Sequence, residues 1–214
     1  MKKLAILILL VSGSALARAQ NFELGLKAHP VFSWIKPSSD NMGSDGGRTG
    51  FSYGLMGDFY ISDRYTFTTG LEITSTGGKT REPDAEGNTM LSDYRLQYIE
   101  VPLTLRLKTD KNGPLVFYGL FGLDPGVNVK ARADRTIVDL ANPDLKTDQS
   151  KLDVDDEITA FRLALAIGGG AIYDLSGNTR LLGGLTFNNG FTDVFEGGRK
   201  GTASYIALNI GVFF

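Results

Sequence analysis

Residues 98–108 read Tyr98-Ile99-Glu100-Val101-Pro102-Leu103-Thr104-Leu105-Arg106-Leu107-Lys108, and in steps of two they separate into two sides. Ile99, Val101, Leu103, Leu105 and Leu107 make an apolar row, while Glu100, Pro102, Thr104, Arg106 and Lys108 make a polar one. A period of two is that of an extended strand with one oily face. Immediately upstream, Tyr94, Leu96 and Tyr98 carry the opposite phase. That predicts a β-bulge near Tyr98 and Ile99, because one extra residue exchanges the two faces.

The same alternation recurs on either side. Phe22, Leu24, Leu26 and Ala28 oppose Glu23, Gly25, Lys27 and His29; Phe51, Tyr53, Leu55, Phe59 and Ile61 oppose Ser52, Met56, Asp58 and Tyr60. Tyr65, Phe67, Leu71 and Ile73 oppose Thr66, Thr68, Glu72 and Thr74. Beyond the central stretch, a glycine-rich segment from Leu115 to about Val129 is apolar on both faces. Phe161, Leu163, Leu165, Ile167 and Tyr173 oppose Arg162, Ala164, Ala166, Gly168 and Gly170, whose small size suits a crowded interior. A strand over Thr179–Phe187 and a last one with Ile206, Leu208, Ile210, Val212 and Phe214 on its oily side complete eight.

The links between these strands alternate in length: long at 35–49, 76–92, 130–157 and 188–202, short at 62–64, 109–113 and 175–178. An even number of strands joined alternately by short turns and long loops is the pattern of a membrane barrel with its termini on the short-turn side. The run Thr136-Ile137-Val138-Asp139-Leu140 is readable as a turn of helix or as a strand continuing above the membrane. The expected fold is all-β, an eight-stranded antiparallel up-and-down transmembrane β-barrel.

Alternation alone does not say which face is inside, since a soluble barrel has its oily side inward. The charges decide it. Lys27, Asp58, Glu72, Glu100, Arg106, Arg162 and Arg180 all fall on one face and mix signs, which suits pairing within a narrow lumen; the other face carries almost no charge. Aromatic residues gather toward the turn side (Phe22, Phe59, Tyr65, Phe67, Phe117, Tyr173, Phe213, Phe214) and the loop side (Trp34, Phe51, Tyr94, Phe191), as interfacial girdles do.

Lys2 and Lys3 precede an apolar run from Leu4 to Val11 and small residues ending in Ala17-Arg18-Ala19, the layout of a cleavable secretory signal. Residues 1–19 are therefore expected to be a signal peptide and residues 20–214 a single barrel domain. Loss of Lys2, Lys3 and Arg18 takes the formal charge from −2 to −5, with no basic face for nucleic acid. The absence of cysteine excludes disulfides, thiolate metal sites and a cysteine-linked lipid anchor.

The chain resembles the outer-membrane β-barrel family of the Bacteroidetes, often called PorT-like. The stretch Tyr98–Lys108, the glycine-rich strand around Gly119–Gly126 and the ending on Phe213-Phe214 carry the resemblance. It implies an outer-membrane location and a barrel whose last strand, with Tyr205, Ile206, Leu208, Ile210, Val212 and Phe214, resembles the signal read by the barrel-assembly machinery. Expected partners are outer-membrane lipid, that machinery during biogenesis and envelope proteins. Members are often labelled porins, but eight strands enclose a lumen that side chains fill, which argues against free passage of solutes.

Candidate sites are few. His29, the single histidine, lies on the inward face without a Ser/His/Asp spacing around it, and reads as a hydrogen-bonding lumen residue rather than a catalytic one. Glu100 and Arg106 stand about 20 Å apart along one strand, so each needs a partner on another strand. The acidic run Asp153, Asp155, Asp156 and Glu157, with Asp148, lacks the spacing of a calcium loop and reads as a solvated loop mouth. No catalytic residue, metal site or cofactor is expected. The leading role is that of a non-enzymatic integral barrel; a narrow pore and a lipid-modifying enzyme using His29 are the alternatives.

Overall fold

The computed structural model describes residues 22–177 and 179–214; the expected signal peptide, residues 1–19, lies outside them. Its strands are β1 (Phe22–Pro37), β2 (Gly43–Tyr60), β3 (Tyr65–Pro83), β4 (Thr89–Glu100), β5 (Leu103–Lys108), β6 (Leu115–Val138), β7 (Lys146–Asp153), β8 (Phe161–Ser176), β9 (Thr179–Gly190) and β10 (Gly201–Phe213). Strands adjacent in sequence pair antiparallel, except β4 with β5 and β7 with β8, and β10 pairs back onto β1, from Gly25 opposite Phe213 to Pro37 opposite Gly201. The wall has eight staves, because β4 and β5 are one strand interrupted at Val101 and Pro102, and β7 lies outside the ring against β6. Pro102 has no N–H to give, and the Val101 N–H alone continues the ladder there, to the Pro125 carbonyl at 2.9 Å.

Side chains sort by parity. Leu26, Leu55, Leu71, Phe121, Ile167, Leu185, Leu208 and Ile210 point outward and are exposed, while Val31, Ser52, Thr66, Glu72, Glu100, Arg106, Ala164 and Asn209 point inward and are buried. An apolar belt running around every stave would be an aggregation surface in water and is the expected surface in lipid. At the turn end Phe22 packs on Phe59 with ring centroids 4.8 Å apart, and toward the other end Trp34 stacks on Phe187 at 6.2 Å. Tyr94 and Phe213 are not girdle residues. Both are fully buried inside.

The expected bulge at Tyr98 and Ile99 is absent. Tyr94, Leu96, Tyr98 and Glu100 are all buried in one phase, and the β3–β4 register runs unbroken from Glu72 opposite Glu100 to Pro83 opposite Thr89. The irregularity sits across the ladder on β6, where Gln97 faces Lys130 and Tyr98 faces Asn128, leaving Val129 extra. Tyr94, Leu96 and Tyr98 are apolar in the inward phase without any extra residue in β4, because the interior at that level is itself apolar.

The long links are largely strand. β6, with 24 residues, is about 80 Å long at ~3.3 Å per residue, which at a barrel tilt near 40° is about 60 Å of height. A belt about 25 Å tall takes up less than half of that. Thr136–Val138 therefore belong to a strand extension, and among the described residues only Asp155–Glu157 make a helical turn, of the 3-10 kind. Above the belt the outer face meets water, so Ile99 gives way to Gln97, Arg95 and Asp93, and Ile73 to Ser75, Lys79 and Arg81. Without an oily row these stretches resemble loops in sequence.

Candidate functional site

The lumen holds the ionisable residues. Glu100, from the end of β4, accepts from Arg162 of β8 at 2.7 Å and from the Tyr205 hydroxyl of β10 at 3.1 Å. Asp124 of β6 accepts from Asn188 Nδ2 at 2.6 Å and from the same Tyr205 hydroxyl at 3.2 Å. Arg162 also donates to Asn188 and to the Ala203 carbonyl. Lys27 and Glu72 pair at 2.5 Å, and the Ser52 hydroxyl lies 2.9 Å from that of Thr74 and 3.5 Å from Glu72.

Toward the turn end Asp58 takes Arg106, the Thr68 hydroxyl at 2.7 Å and, at 3.7 Å, Lys108. The Arg106 guanidinium lies over the Tyr118 ring, 5.0 Å from its centre. At the mouth Arg180 Nε donates to Glu23 at 2.8 Å, and the Tyr60 hydroxyl donates to the same carboxylate at 2.7 Å. Glu23, Asp58, Glu72, Glu100 and Asp124 are thus set against Lys27, Arg106, Lys108, Arg162 and Arg180. Their formal charges cancel, unlike the single-sign rings that select ions.

All seven charged residues read from the sequence point into this interior, in the pairs Lys27–Glu72, Arg106–Asp58 and Glu100–Arg162, with Arg180 on Glu23. Asp124 and Lys108 were not singled out there, although Lys108 shares the parity of Arg106; Asp124 sits in a segment apolar on both faces and gave no periodic signal. His29 is buried, with Ser52 opposite it in register, but its Nδ1 has no hydrogen-bond partner among the described residues and the Ser52 hydroxyl is committed to Thr74 and Glu72. The interior cavity at this level is about 60 Å³, room for a few waters. Tyr205 faces inward, while Ile206, Leu208, Ile210 and Phe214 face out.

Above the charges the lumen is closed by an apolar plug. Ile35, Tyr94, Leu96, Tyr98, Ala131, Ala133 and Ala203 from the staves meet Val154, Ile158, Val194 and Phe195 from the connections. Phe195 sets its ring against Tyr94, centroids 5.2 Å apart at 66°. Two backbone bonds hold these connections together, Thr159 N–H to the Val194 carbonyl at 2.8 Å and Glu196 N–H to the Glu157 carbonyl at 2.9 Å. Arg199 reaches over the Phe195 ring to Glu157 at 2.6 Å and the Tyr94 hydroxyl at 3.0 Å, and Arg135 takes the same Glu157 at 2.6 Å. Burial pushes the Glu157 carboxyl up, but the hydrogen bonds from Arg135 and Arg199 outweigh it and hold its pKa below the ordinary 4.5.

The chain matches the outer membrane protein beta-barrel domain family over residues 18–196, most of its length. It belongs to that family. The barrel is thus an integral protein of the outer membrane, and its apolar belt faces lipid. Among solved structures it is similar to Neisserial surface protein A (15% identity over 89% of this chain and 95% of that one, TM-score 0.48). It is similar also to OprG of Pseudomonas aeruginosa (11%, 90% and 92%, 0.46) and to Ail of Yersinia pestis (13%, 91% and 99%, 0.41). No curated protein sequence matches it.

Within this outer-membrane barrel Asp148, Asp155 and Glu157 of the 148–157 run are engaged by neighbouring groups. Asp148 accepts from the Thr136 hydroxyl at 2.6 Å, Asp155 from the Ala131 N–H, and Glu157 from two arginines. The apolar residues among them, Val154 and Ile158, are what sequence reading passed over, and with Val194-Phe195 they form the underside of the lid.

Arg162→Ala removes the ion-pair partner of the buried Glu100, and is expected to cost about 3–5 kcal/mol in urea unfolding from vesicles, as for a broken buried pair. Replacing both partners, Arg162→Met with Glu100→Leu, should recover a large part of that loss; equal losses in the single and double variants would mean that the pair is not the reason. The lid carries a pH dependence. A carboxyl with a lowered folded pKa contributes stability that is present above its unfolded pKa and lost as pH falls through the folded value. Amide exchange corrected for intrinsic rates should therefore show Thr159 and Glu196 losing protection as pH falls below the ordinary carboxylate range, and Glu157→Gln should lower that protection at neutral pH and abolish its pH dependence. Protection unchanged on acidification would contradict the clasp.

Proposed function

We propose that this barrel is a non-enzymatic member of the PorT-like branch whose work is done at the cell surface, in a structural or interaction role, and that its lumen conducts nothing. The supporting observation is that side chains fill the lumen at two levels, by a neutral network of ion pairs and by the plug that Val194 and Phe195 complete. Its β6–β7 and β3–β4 hairpins, standing clear of the lipid belt, are the surface offered to envelope partners. The outward apolar residues of β10 and the terminal Phe214 are the part read by the assembly machinery. A catalytic role for His29 lacks support, since no acid or base engages its ring and the facing serine is bound elsewhere.

Purified protein reconstituted in planar bilayers is expected to show no stepwise openings under applied voltage. Regular single-channel steps that vanish when the protein is heat-unfolded before reconstitution would replace this reading with that of a narrow pore.

A further inference from the structure

On the outer wall, above the apolar belt, the β4–β6 ladder sets Gln97 opposite Lys130 and Arg95 opposite Arg132. Two like charges directly across a ladder repel. Arg48 from β2 and Lys151 from β7 converge on the same place, and the five cations line a surface cleft of about 350 Å³. Only two are neutralised: Arg48 pairs with Asp93 at 2.8 Å, and Arg95 pairs with Asp134. Lys130, Arg132 and Lys151 make no ion pair among the described residues, and with Asp153 opposite Arg132 across the β6–β7 ladder the neighbourhood still keeps a surplus of two positive charges.

A second observation singles the place out. Lys151 is the one residue other than glycine, among those described, with a left-handed backbone (φ 56°). L-residues disfavour that region. Its N–H donates to Asp134 at 2.7 Å, which fixes the bend that brings β7 beside β6 at the cleft.

The height of the cleft names its ligand. Ile73, Ile99 and Val127 lie at the lip of the lipid-facing belt, and Gln97 and Arg95 follow Ile99 by about 7 and 13 Å along the strand. This is the long-link end of the barrel, and so the outer-leaflet side. A molecule bound here has acyl chains against the belt and its charge among guanidinium and ammonium groups, which favour phosphate oxygens.

We propose that Arg48, Arg95, Lys130, Arg132 and Lys151 bind the phosphate of a phosphorylated glycolipid head group in the outer leaflet. The site does not depend on whether the lumen conducts. Lys130 and Arg132 contribute the free charge, Lys151 covers it from β7, and Gln97 supplies a neutral hydrogen-bonding group at the lipid edge.

The test uses the full chain folded in phosphatidylcholine vesicles, with phosphorylated lipid A, the same lipid A enzymatically dephosphorylated, and inorganic phosphate as probes. Lys130→Gln/Arg132→Gln/Lys151→Gln should bind phosphorylated lipid A at least about tenfold more weakly than wild type, with the heat-modifiable gel shift intact. Lys36→Gln/Lys146→Gln/Lys200→Gln, which removes equal charge elsewhere, should bind as wild type does. Dephosphorylated lipid A should bind both triple variants and wild type alike. Equal binding of phosphorylated lipid A by wild type and the cleft variant overturns the proposal. So does an equal loss in the control variant, which would reduce the effect to net charge, or full competition by inorganic phosphate, which would make this a soluble-anion site.

Discussion

Hydrocarbon offers no partner to an N–H or a C=O, and this single constraint organises the molecule. A sheet can stand in lipid only if it has no edge, so the pairing of β10 with β1 is the contact on which the rest depends. Once the ring closes, alternate residues must point into a space too narrow for a channel, and each side chain there is removed from water. The composition of the two faces follows. Apolar side chains cost nothing outside, and charged ones are affordable inside only as pairs.

The interior resolves that second demand in two ways along the same staves. Where ions occur, they are met across strands, Glu100 by Arg162 and Asp58 by Arg106 as ion pairs and Asp124 by hydrogen bonds from Asn188 and Tyr205. Nearer the surface the staves carry Tyr94, Leu96 and Tyr98 inward, and the connections supply Phe195 and Val194 to cover them. A polar level is thus capped by an apolar one, and the arginines above the cap, Arg135 and Arg199, tie its segments to one carboxylate.

Much of this was legible in the sequence wherever one face meets lipid, because lipid tolerates no exceptions and the alternation is clean, as at Ile99–Lys108. The inward set of charges was legible for the same reason. Their partners were not: which carboxylate meets which arginine depends on the stagger of strands around the ring, and Asp124 hid in a stretch apolar on both sides. Above the belt the rule lapses. Water accepts Arg95 or Lys79 as readily as a loop would, so strand extensions looked like loops, and the apolar interior at Tyr94–Tyr98 looked like a displaced outer face. The few apolar residues of the connections carry the lid without any periodicity to mark them.

The chain has no cysteine, so a single introduced thiol reports on one position alone. Cysteines placed in turn at residues 205 to 210 of β10, labelled with a small fluorophore and read in vesicles with brominated acyl chains, measure directly which face meets lipid. Quenching is expected with a period of two, strong at Ile206, Leu208 and Ile210 and weak at Tyr205, Ala207 and Asn209. Quenching that is uniform along the strand, or strongest at the odd positions, would contradict it.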